Sequence, residues 1–394
     1  MRAAIENLQE SMIRQVANAG LGRDDVLKFW FGESDEVTPA VIREAAAQSL
    51  AAGETFYSHN LGLPELRQAL ATYSQGLRPA GAAALTDERI AVTAGGVNAL
   101  MVAMQALVDA GDRVVVLTPV WPNLTAQPQV MGAQLHTVSL RPELGRWRLD
   151  MDELLAAVTP ATRLLVLNAP NNPTGWTFSR AEQEQILAHC RRTGTWVLAD
   201  EVYERLFFDG APGQSAPSFL DISEAEDRLV VVNSFSKSFL MTGWRLGWLT
   251  MPARMTPAVG KLLEFNTSCS PVFIQRAALA ALAHSADITP TVVAHLKRCR
   301  DTLVTLLQAV PGVQVTPSPG GLYAFFRLEG QGDSLSVAKR LVQEAGLGLA
   351  PGNAFHDNPA PEMQGWLRWC FASQDLARLS QGVERLEQWL RTQA

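Results

Sequence analysis

Lys237 is the residue of this sequence whose surroundings best suit covalent chemistry. It lies in the segment SFSKSFLMTGWRLGW, residues 234–248, directly after an apolar run, with Ser234 three residues before it and Arg245 eight residues after it. A lysine amine can form a Schiff base with an aldehyde, and hydroxyl and guanidinium groups can bind a phosphate. The segment therefore favours a site that holds a phosphorylated aldehyde beside an amine, although a single lysine is more commonly a surface residue.

Three further groups follow short apolar runs in the same way. They are Gly95 with Gly96, Asn172 in the segment APNNPTG, and Asp200 in the segment ADEVYE. Glycines at the start of a helix leave backbone N–H groups open to a phosphate, and a carboxylate can keep a pyridine nitrogen protonated. Taken singly, each has a more ordinary explanation: a packing turn, a rigid proline turn and a helix N-cap.

The elements that would position these residues are strands alternating with helices. Segments such as 97–112 and 179–194 between the apolar runs have helical spacing and end in or near glycine. This alternation predicts an α/β fold with a mainly parallel sheet covered by helices, in which ligands bind beyond the carboxyl ends of the strands. The predicted strands are RIAVT (89–93), VVVLTP (114–119), RLLVLN (163–168), TWVLAD (195–200) and LVVVNS (229–234).

The pattern changes after about residue 285. A long amphipathic helix (289–310), short strands near 320–328 and 367–372, and a closing helix through 385–391 predict a smaller α+β domain. We therefore predict a large domain at 40–285 and a small domain formed by 1–39 and 286–394. The Ala/Gly-rich segment RPAGAAAL is expected to be a surface loop.

Composition argues against several classes of protein. The 394 residues are 47% apolar and 18% charged, with a net charge of −6 and no basic cluster, so we expect no nucleic-acid partner. No leader-like amino terminus and no stretch of about 18 apolar residues occurs, which favours a cytoplasmic protein without a membrane segment. Four cysteines without a CxxC pair indicate reduced, mostly buried thiols and neither a zinc site nor a disulfide framework.

An amine, a ring-facing carboxylate and a phosphate cradle at one sheet edge together suit pyridoxal 5′-phosphate. The chain also resembles a fold-type I, class I/II aminotransferase of the aspartate aminotransferase superfamily over roughly residues 25–375. The motifs that carry the resemblance, in family order, are FWFGESDEVTP (29–39), Tyr57 with GLPELRQAL (62–70), TAGGVNAL (93–100), PVWPNL (119–124), NAPNNPTG (168–175), ADEVYE (199–204), SFSKSFLMTGWRLGW and LRWCFA (367–372).

The resemblance implies a role for each matching residue, and a three-layer fold with a seven-stranded, mainly parallel sheet. Lys237 matches the lysine that forms the Schiff base and moves the substrate proton. Asp200 matches the acid that pairs with the pyridine nitrogen, while Asn172 and Tyr203 match the groups that bond the cofactor's 3′-oxygen. The phosphate ligands implied are Gly95, Gly96, Val97, Ser234 and Arg245, with Tyr57 reaching over from the second subunit of a homodimer.

The remaining matches concern the substrate. Trp121 corresponds to the aromatic residue that stacks on the cofactor ring, and Arg368 to the arginine that binds the substrate α-carboxylate, with Gly32 and Asn172 close by. In the bacterial aspartate-specific branch, the position of Val97 commonly carries a lysine for the distal carboxylate. Its absence here favours a neutral or aromatic amino donor over an acidic one.

Several alternatives remain open at this point. The pocket walls could include Phe29, Trp30 and Phe355. An arginine or a histidine elsewhere, such as His59 or His356, could supply the missing charge, which would restore an aspartate aminotransferase. A pyridoxal-phosphate-dependent lyase of the carbon–sulfur β-lyase type would share the same motifs. A non-catalytic regulator on this fold is disfavoured, because Lys237 is present and no DNA-binding segment is found. Each of the enzymatic alternatives is expected to act in amino acid metabolism.

Overall fold

The computed structural model describes residues 1–143, 145–211, 213–356 and 363–393. The strands are β1 (Leu27–Lys28), β2 (Ile90–Thr93), β3 (Arg113–Thr118), β4 (Gln134–Ser139), β5 (Arg141–Glu143), β6 (Arg146–Arg148), β7 (Thr162–Asn168), β8 (Trp196–Asp200), β9 (Leu229–Ser234), β10 (Gly247–Thr250), β11 (Val313–Gln314), β12 (Tyr323–Leu328), β13 (Leu347–Gly348), β14 (Ala350–Pro351) and β15 (Trp366–Cys370).

The helices alternate with these strands along the chain. They are α1 (Ala3–Glu6), α2 (Met12–Ala19), α3 (Ala40–Ala51), α4 (Pro64–Gly76), α5 (Gly96–Leu107), α6 (Asn123–Met131), α7 (Met151–Ala157), α8 (Arg180–Thr193), α9 (Thr256–Asn266), α10 (Val272–Ala283), α11 (Ser285–Gln308), α12 (Ser334–Ala345) and α13 (Leu376–Gln393).

A seven-stranded sheet in the order β2-β10-β9-β8-β7-β3-β4 forms the centre of the large unit. Only β10 runs antiparallel to its neighbours; the pairs β3–β4, β3–β7, β7–β8 and β8–β9 are parallel. Alternate residues of β3 enter two different apolar clusters: Val114 and Val116 face one layer, and Val115 and Leu117 the other. Strands buried on both faces explain the unbroken apolar runs, and the predicted α/β class with a mainly parallel seven-stranded sheet is confirmed.

Two strands of this sheet were not predicted, and each has a local reason. The edge strand β4 has the sequence QLHTVS, and only one of its six residues is buried, so it lacks the apolar run of an inner strand. The strand β10 is fully buried but only four residues long, and it lies inside the segment that follows Lys237. The helix predicted over 97–112 ends earlier, at Leu107, because the next residue, Val108, is already extended.

A second, antiparallel sheet in the order β11-β12-β15-β14 lies in the carboxyl-terminal part. The long helix α11 and the closing helix α13 match the predicted amphipathic helices. The amino-terminal segment joins this unit, since β1 pairs with β13 in parallel. The domain limits at residues 39 and 285 stay a prediction.

Smaller features agree with the sequence. Residues 78–86 contain no helix or strand, as expected for the segment RPAGAAAL. All four cysteines are free thiols, and Cys190, Cys299 and Cys370 are buried. Over the described residues, no single helix is both long and apolar enough for a membrane span; by length and composition alone, the bent pair α10 and α11 passes the same criterion.

Candidate active site

The residues proposed for chemistry meet at one edge of the large sheet. The strand register places Asn168 beside Asp200, and Gly247 between Ser234 and Thr93. A cavity of about 580 Å³ opens at this edge. Its walls include all but two of the predicted site residues, namely Gly32, Gly96, Val97, Trp121, Asn172, Asp200, Tyr203, Ser234, Lys237, Arg245 and Arg368.

Lys237 comes three residues after the end of β9 and lines this cavity. Its Nζ donates a hydrogen bond of 2.6 Å to the carbonyl oxygen of Gly32, 205 residues away in sequence, and lies 5.6 Å from the centre of the Tyr203 ring. Burial lowers the pKa of the Lys237 amine to about 8, and the neighbouring charge of Arg368 acts in the same direction. A substantial share of this amine is therefore neutral near pH 8, which is the form that attacks a carbonyl carbon.

Asp200 ends β8 and is almost fully buried. Burial raises its pKa to about 7, against the opposing effects of a hydrogen bond from the Val202 amide and the charge of Lys237. Asn168 fixes the backbone here: its Nδ2 donates to the Asp200 carbonyl oxygen at 3.0 Å, and its Oδ1 accepts from the Asn172 amide at 2.7 Å. A cation bound beside Asp200 would stabilise the charged carboxylate.

Arg368 approaches the same cavity from β15 in the second sheet. Its Nη1 donates to Asn172 Oδ1 at 2.8 Å and its Nη2 to the Trp30 carbonyl oxygen at 2.5 Å. Its guanidinium lies 4.2 Å from the centre of the Tyr323 ring and 4.8 Å from that of Phe355. Arg368 is 2% exposed and lines the cavity, and among the described residues no acceptor bonds its buried Nε.

The opposite wall is built around the start of α5. Gly95 has φ +88°, and a Cβ atom there would lie 2.6 Å from Arg245 Nη2, so only glycine lets this guanidinium pass so close. The helix α5 begins without a side-chain cap, which leaves its positive end available. Ser234 Oγ donates to Ser236 Oγ at 3.0 Å, so its oxygen lies at the same end of the sheet.

Two predicted residues lie outside the cavity walls, and some suggested pocket residues do as well. Gly95 does not line the cavity but leaves room for the Arg245 guanidinium, which does. Tyr57 is 89% exposed. His59 and His356 do not line the cavity. The buried side chains Phe29, Trp30 and Phe355 are likewise absent from its walls. The aromatic wall is formed by Phe31 and Trp121 instead.

Three groups near the site were missed in the sequence. Tyr323 lines the cavity from β12, and its hydroxyl bonds the Tyr203 hydroxyl at 2.8 Å. Cys370 packs against the backbone next to Lys237, with Sγ 3.5 Å from the Glu33 carbonyl oxygen. Arg14 lines the mouth from α2. In sequence the tyrosine and the cysteine look like ordinary core positions of short strands, and the arginine like a solvated helix residue.

Comparison with known proteins decides the family. The family model for aminotransferase class I and II matches residues 24–386. The chain belongs to the class I and II aminotransferases. It is 32% identical over 372 residues to a probable aspartate/prephenate aminotransferase of Aquifex aeolicus, covering 93% of this chain and 91% of that one.

Two other proteins are similar to it at comparable levels. An arginine–pyruvate transaminase of Pseudomonas aeruginosa is 33% identical over 338 residues, covering 86% of this chain and 84% of the relative. The solved structure of an aspartate aminotransferase single mutant of Thermus thermophilus superposes with a TM-score of 0.89 at 29% identity, over 98% of this chain and 99% of that one. The resemblance predicted from the motifs is thus confirmed, and the protein is a transferase of amino groups.

Proposed function

We propose that this aminotransferase moves the α-amino group of an L-amino acid to a 2-oxo acid with pyridoxal 5′-phosphate held covalently by Lys237. The observation that carries the proposal is the cavity in which the half-buried Lys237, the Asp200 carboxylate and the Arg368 guanidinium meet. When bound, the cofactor supplies the electron sink that makes the substrate's Cα–H bond acidic. The protein's own residues supply binding, orientation and proton transfer.

The shape and donor set of the cavity suit this cofactor. At the phosphate end, Gly96 has no room for a bulky residue, because a Cβ there would lie 3.2 Å from Val202 Cγ1. Arg245 is exposed and lies against Gly95, so its guanidinium and the uncapped start of α5 point to one place. These two positive groups form an anion site of the kind a phosphate monoester requires, and the Ser234 hydroxyl, which donates to Ser236 Oγ in this structure, would turn its hydrogen to the phosphate.

Proton transfer would belong to Lys237. Its Nζ is held by the Gly32 carbonyl oxygen, and a neutral amine at this position can take a proton from the substrate Cα and return it to another carbon. Asp200 would face the cofactor's ring nitrogen, and its ionised form would keep that nitrogen protonated. Asn172 and Tyr203 would bond the 3′-oxygen, and Trp121 would cover the ring.

Arg368 would hold the substrate's α-carboxylate. Its guanidinium is oriented by Asn172 and by the Trp30 carbonyl oxygen, so the fork is positioned before any substrate arrives. A bidentate pair with a carboxylate fixes the direction of the Cα–H bond as well as the affinity. Gly32 lies at the same place, where a side chain would clash with Tyr323.

For the amino donor we propose neutral or aromatic amino acids over acidic ones. The residue at the position of the aspartate-binding lysine is Val97, which lines the cavity and is 37% exposed. Ile13, Phe31 and Leu100 add apolar surface to the same cavity. An unpaired carboxylate placed against such a wall would lose its hydration without a partner.

Aspartate transfer is the second candidate, because one cation does lie at the mouth. Arg14 lines the cavity and its guanidinium is 4.9 Å from the centre of the Phe31 ring. Several relatives bear the name aspartate aminotransferase. A carbon–sulfur β-lyase activity remains the other alternative, since the same residues would serve it.

A symmetric homodimer with two shared sites completes the proposal. Phe56 and Tyr57 are 83% and 89% exposed, which is unusual for neighbouring aromatic residues unless another surface covers them. In a two-fold dimer the same patch serves both subunits, so each Tyr57 would reach the partner's phosphate site.

A half-reaction panel tests the activity. Purified protein loaded with pyridoxal 5′-phosphate is mixed with single amino acids without any 2-oxo acid, and the loss of the aldehyde-form absorption is followed. We expect conversion with neutral or aromatic donors and no ammonia. Stoichiometric release of ammonia and pyruvate would assign the lyase instead, and a faster reaction with aspartate than with every neutral donor would assign the second candidate.

A further inference from the structure

Two buried tyrosines form a hydrogen-bonded pair between the substrate-binding arginine and the cofactor-facing wall. The Tyr203 and Tyr323 hydroxyl oxygens are 2.8 Å apart, and their rings meet edge to face with centroids 5.9 Å apart. Both residues line the active-site cavity, and their side chains are 4% and 2% exposed. Neither hydroxyl has another hydrogen-bond partner among residues 1–143, 145–211, 213–356 and 363–393.

Counting hydrogens gives this pair a direction. Two phenol hydroxyls carry two hydrogens, and the bond between them uses only one. Burial raises the pKa of Tyr323 to about 12 and that of Tyr203 well above its usual 10, so both hydrogens are present near neutral pH. One hydrogen therefore remains for an acceptor in the cavity. If Tyr203 donates it to the cofactor's 3′-oxygen, then Tyr323 must donate to Tyr203.

The other side of Tyr323 faces the substrate arginine. The Arg368 guanidinium lies 4.2 Å from the centre of its ring, within the range of a cation–π contact. The hydroxyl also fills the space above Gly32, where a Cβ atom would lie 1.8 Å from it. The carbonyl oxygen of that same Gly32 accepts from Lys237 Nζ. Tyr323 thus contacts the surroundings of the carboxylate site, the lysine and Tyr203 at once.

We propose that Tyr323 is a positioning residue that, by donating to Tyr203, strengthens the hydrogen bond of Tyr203 to the cofactor's 3′-oxygen while its ring supports Arg368. A hydroxyl that accepts a hydrogen bond becomes a better donor, because each bond in a chain polarises the next. A stronger bond to the 3′-oxygen withdraws charge from it and weakens its hold on the proton shared with the Lys237 nitrogen. The inference rests on the proposed function.

Absorbance titration of the cofactor-loaded protein tests this without any turnover. We expect Tyr323→Phe to raise the pH midpoint of the cofactor band by about half a unit, and Tyr203→Phe to raise it by more, because the first weakens a hydrogen bond and the second removes it. In the Tyr203→Phe background, Tyr323→Phe should shift the midpoint by no more than ~0.1 unit, as expected for residues acting in series.

Kinetic constants distinguish the contribution of the Tyr323 hydroxyl from that of its ring. Tyr323→Phe keeps the ring beneath Arg368, so KM for the amino donor should stay within about twofold while kcat falls by roughly tenfold. Tyr323→Leu removes the ring and should also raise KM. Tyr73→Phe is the matched control: Tyr73 is a partly buried tyrosine outside the cavity, whose hydroxyl accepts from Arg205 Nη1 at 3.2 Å, and its loss should leave the midpoint unchanged.

The outcomes distinguish the inference from the function on which it rests. A midpoint in Tyr323→Phe equal to that of the unmodified protein, or an equal shift in both backgrounds, would overturn the role of Tyr323 and leave the aminotransferase intact. A protein that shows no titrating cofactor band at all would overturn the proposed cofactor attachment and the inference with it.

Discussion

The two sides of the active-site cavity differ in how much they are exposed to solvent. The inner side, formed by Asn172, Asp200, Tyr323 and Arg368, is buried, and each residue is held by another: Arg368 is 2% exposed and bonds Asn172. The outer side, which includes Val97 and Arg245, opens to solvent, and Tyr57 stands 89% exposed away from it.

This difference predicts different roles for the inner and the outer side of the cavity. Groups that handle reacting atoms gain most from low dielectric and fixed geometry, and under the proposed function these are the enclosed groups of the inner side. The groups that would admit the cofactor and contact the substrate side chain lie on the outer side, where access is needed. We therefore expect substitutions on the inner side to act on rate and carboxylate binding, and those on the outer side to act on cofactor affinity, preference and assembly.

The largest effect is expected at Arg368. Arg368→Ala should lower kcat/KM by about 10³, because it removes a buried bidentate cation and leaves Asn172 and the Trp30 carbonyl oxygen without their donor. Arg368→Lys should recover part of the loss, since it keeps the charge without the fork. Steady-state kinetics measure this effect. Arg378→Ala is the control, because Arg378 lies over Phe29 outside the cavity. A loss of kcat/KM smaller than tenfold would contradict the role proposed for Arg368 in binding the substrate carboxylate.

The pH dependence of cofactor attachment should follow the protonation of the Lys237 amine. The pKa of Lys237 is lowered to about 8. Below pH 8 the amine is therefore mostly protonated and cannot attack an aldehyde, and above pH 8 it is mostly neutral and reactive. We expect the rate of pyridoxal uptake by cofactor-free protein to be about 50-fold lower at pH 6 than at pH 8, and to level off above pH 9. Pyridoxal is used in place of pyridoxal 5′-phosphate because it has no phosphate group that ionises near pH 6. A midpoint above 10 would show an ordinary, solvated lysine.

Substrate preference should respond on the outer side. Val97→Lys should raise kcat/KM for aspartate relative to phenylalanine by about 20-fold, because it offers a distal carboxylate an ionic partner. Val97→Met, similar in length but uncharged, is the matched control. If the unmodified enzyme already prefers aspartate or glutamate over every neutral donor, Arg14→Met should abolish that preference, and the charge would be assigned to α2.

The smallest effect is expected at Tyr57. Tyr57→Phe should weaken cofactor affinity by about tenfold, the worth of one hydrogen bond to a charged group, without changing the KM of the amino donor. Equilibrium titration of cofactor-free protein measures this, and sedimentation should show a dimer for both forms. A fully active monomer with unchanged cofactor affinity would refute the shared site.

Much of the fold could be predicted because its strands are buried on both faces, which leaves apolar runs such as residues 163–168. The order of the strands and the antiparallel β10 could not, since sheet neighbours such as β2 and β10 are more than 150 residues apart in sequence. The half-exposed edge strand β4 could not be predicted either, because a strand that is not buried has no apolar run.

Residues that line the cavity were predicted where a motif set them apart, and were missed where they resemble ordinary core or surface positions. Lys237 and Asp200 are charged groups at strand ends, which is unusual enough to notice. Tyr323 lies within an aromatic strand segment and differs from a packing residue only through its partners Tyr203 and Arg368, which tertiary structure alone brings together. Gly32 was predicted near the substrate carboxylate, but the hydrogen bond from Lys237 Nζ to its carbonyl oxygen joins residues 205 positions apart and is visible only in the structure.

The central claim is that Lys237 carries the cofactor, and covalent mapping tests it most directly. Protein loaded with pyridoxal 5′-phosphate is reduced with borohydride, digested and examined by mass spectrometry, with Lys237→Ala of unchanged thermal stability as the control. The account predicts the mass of one reduced cofactor on the peptide that contains Lys237 and none in the variant. A label on another lysine, or equal labelling of both proteins, would contradict it.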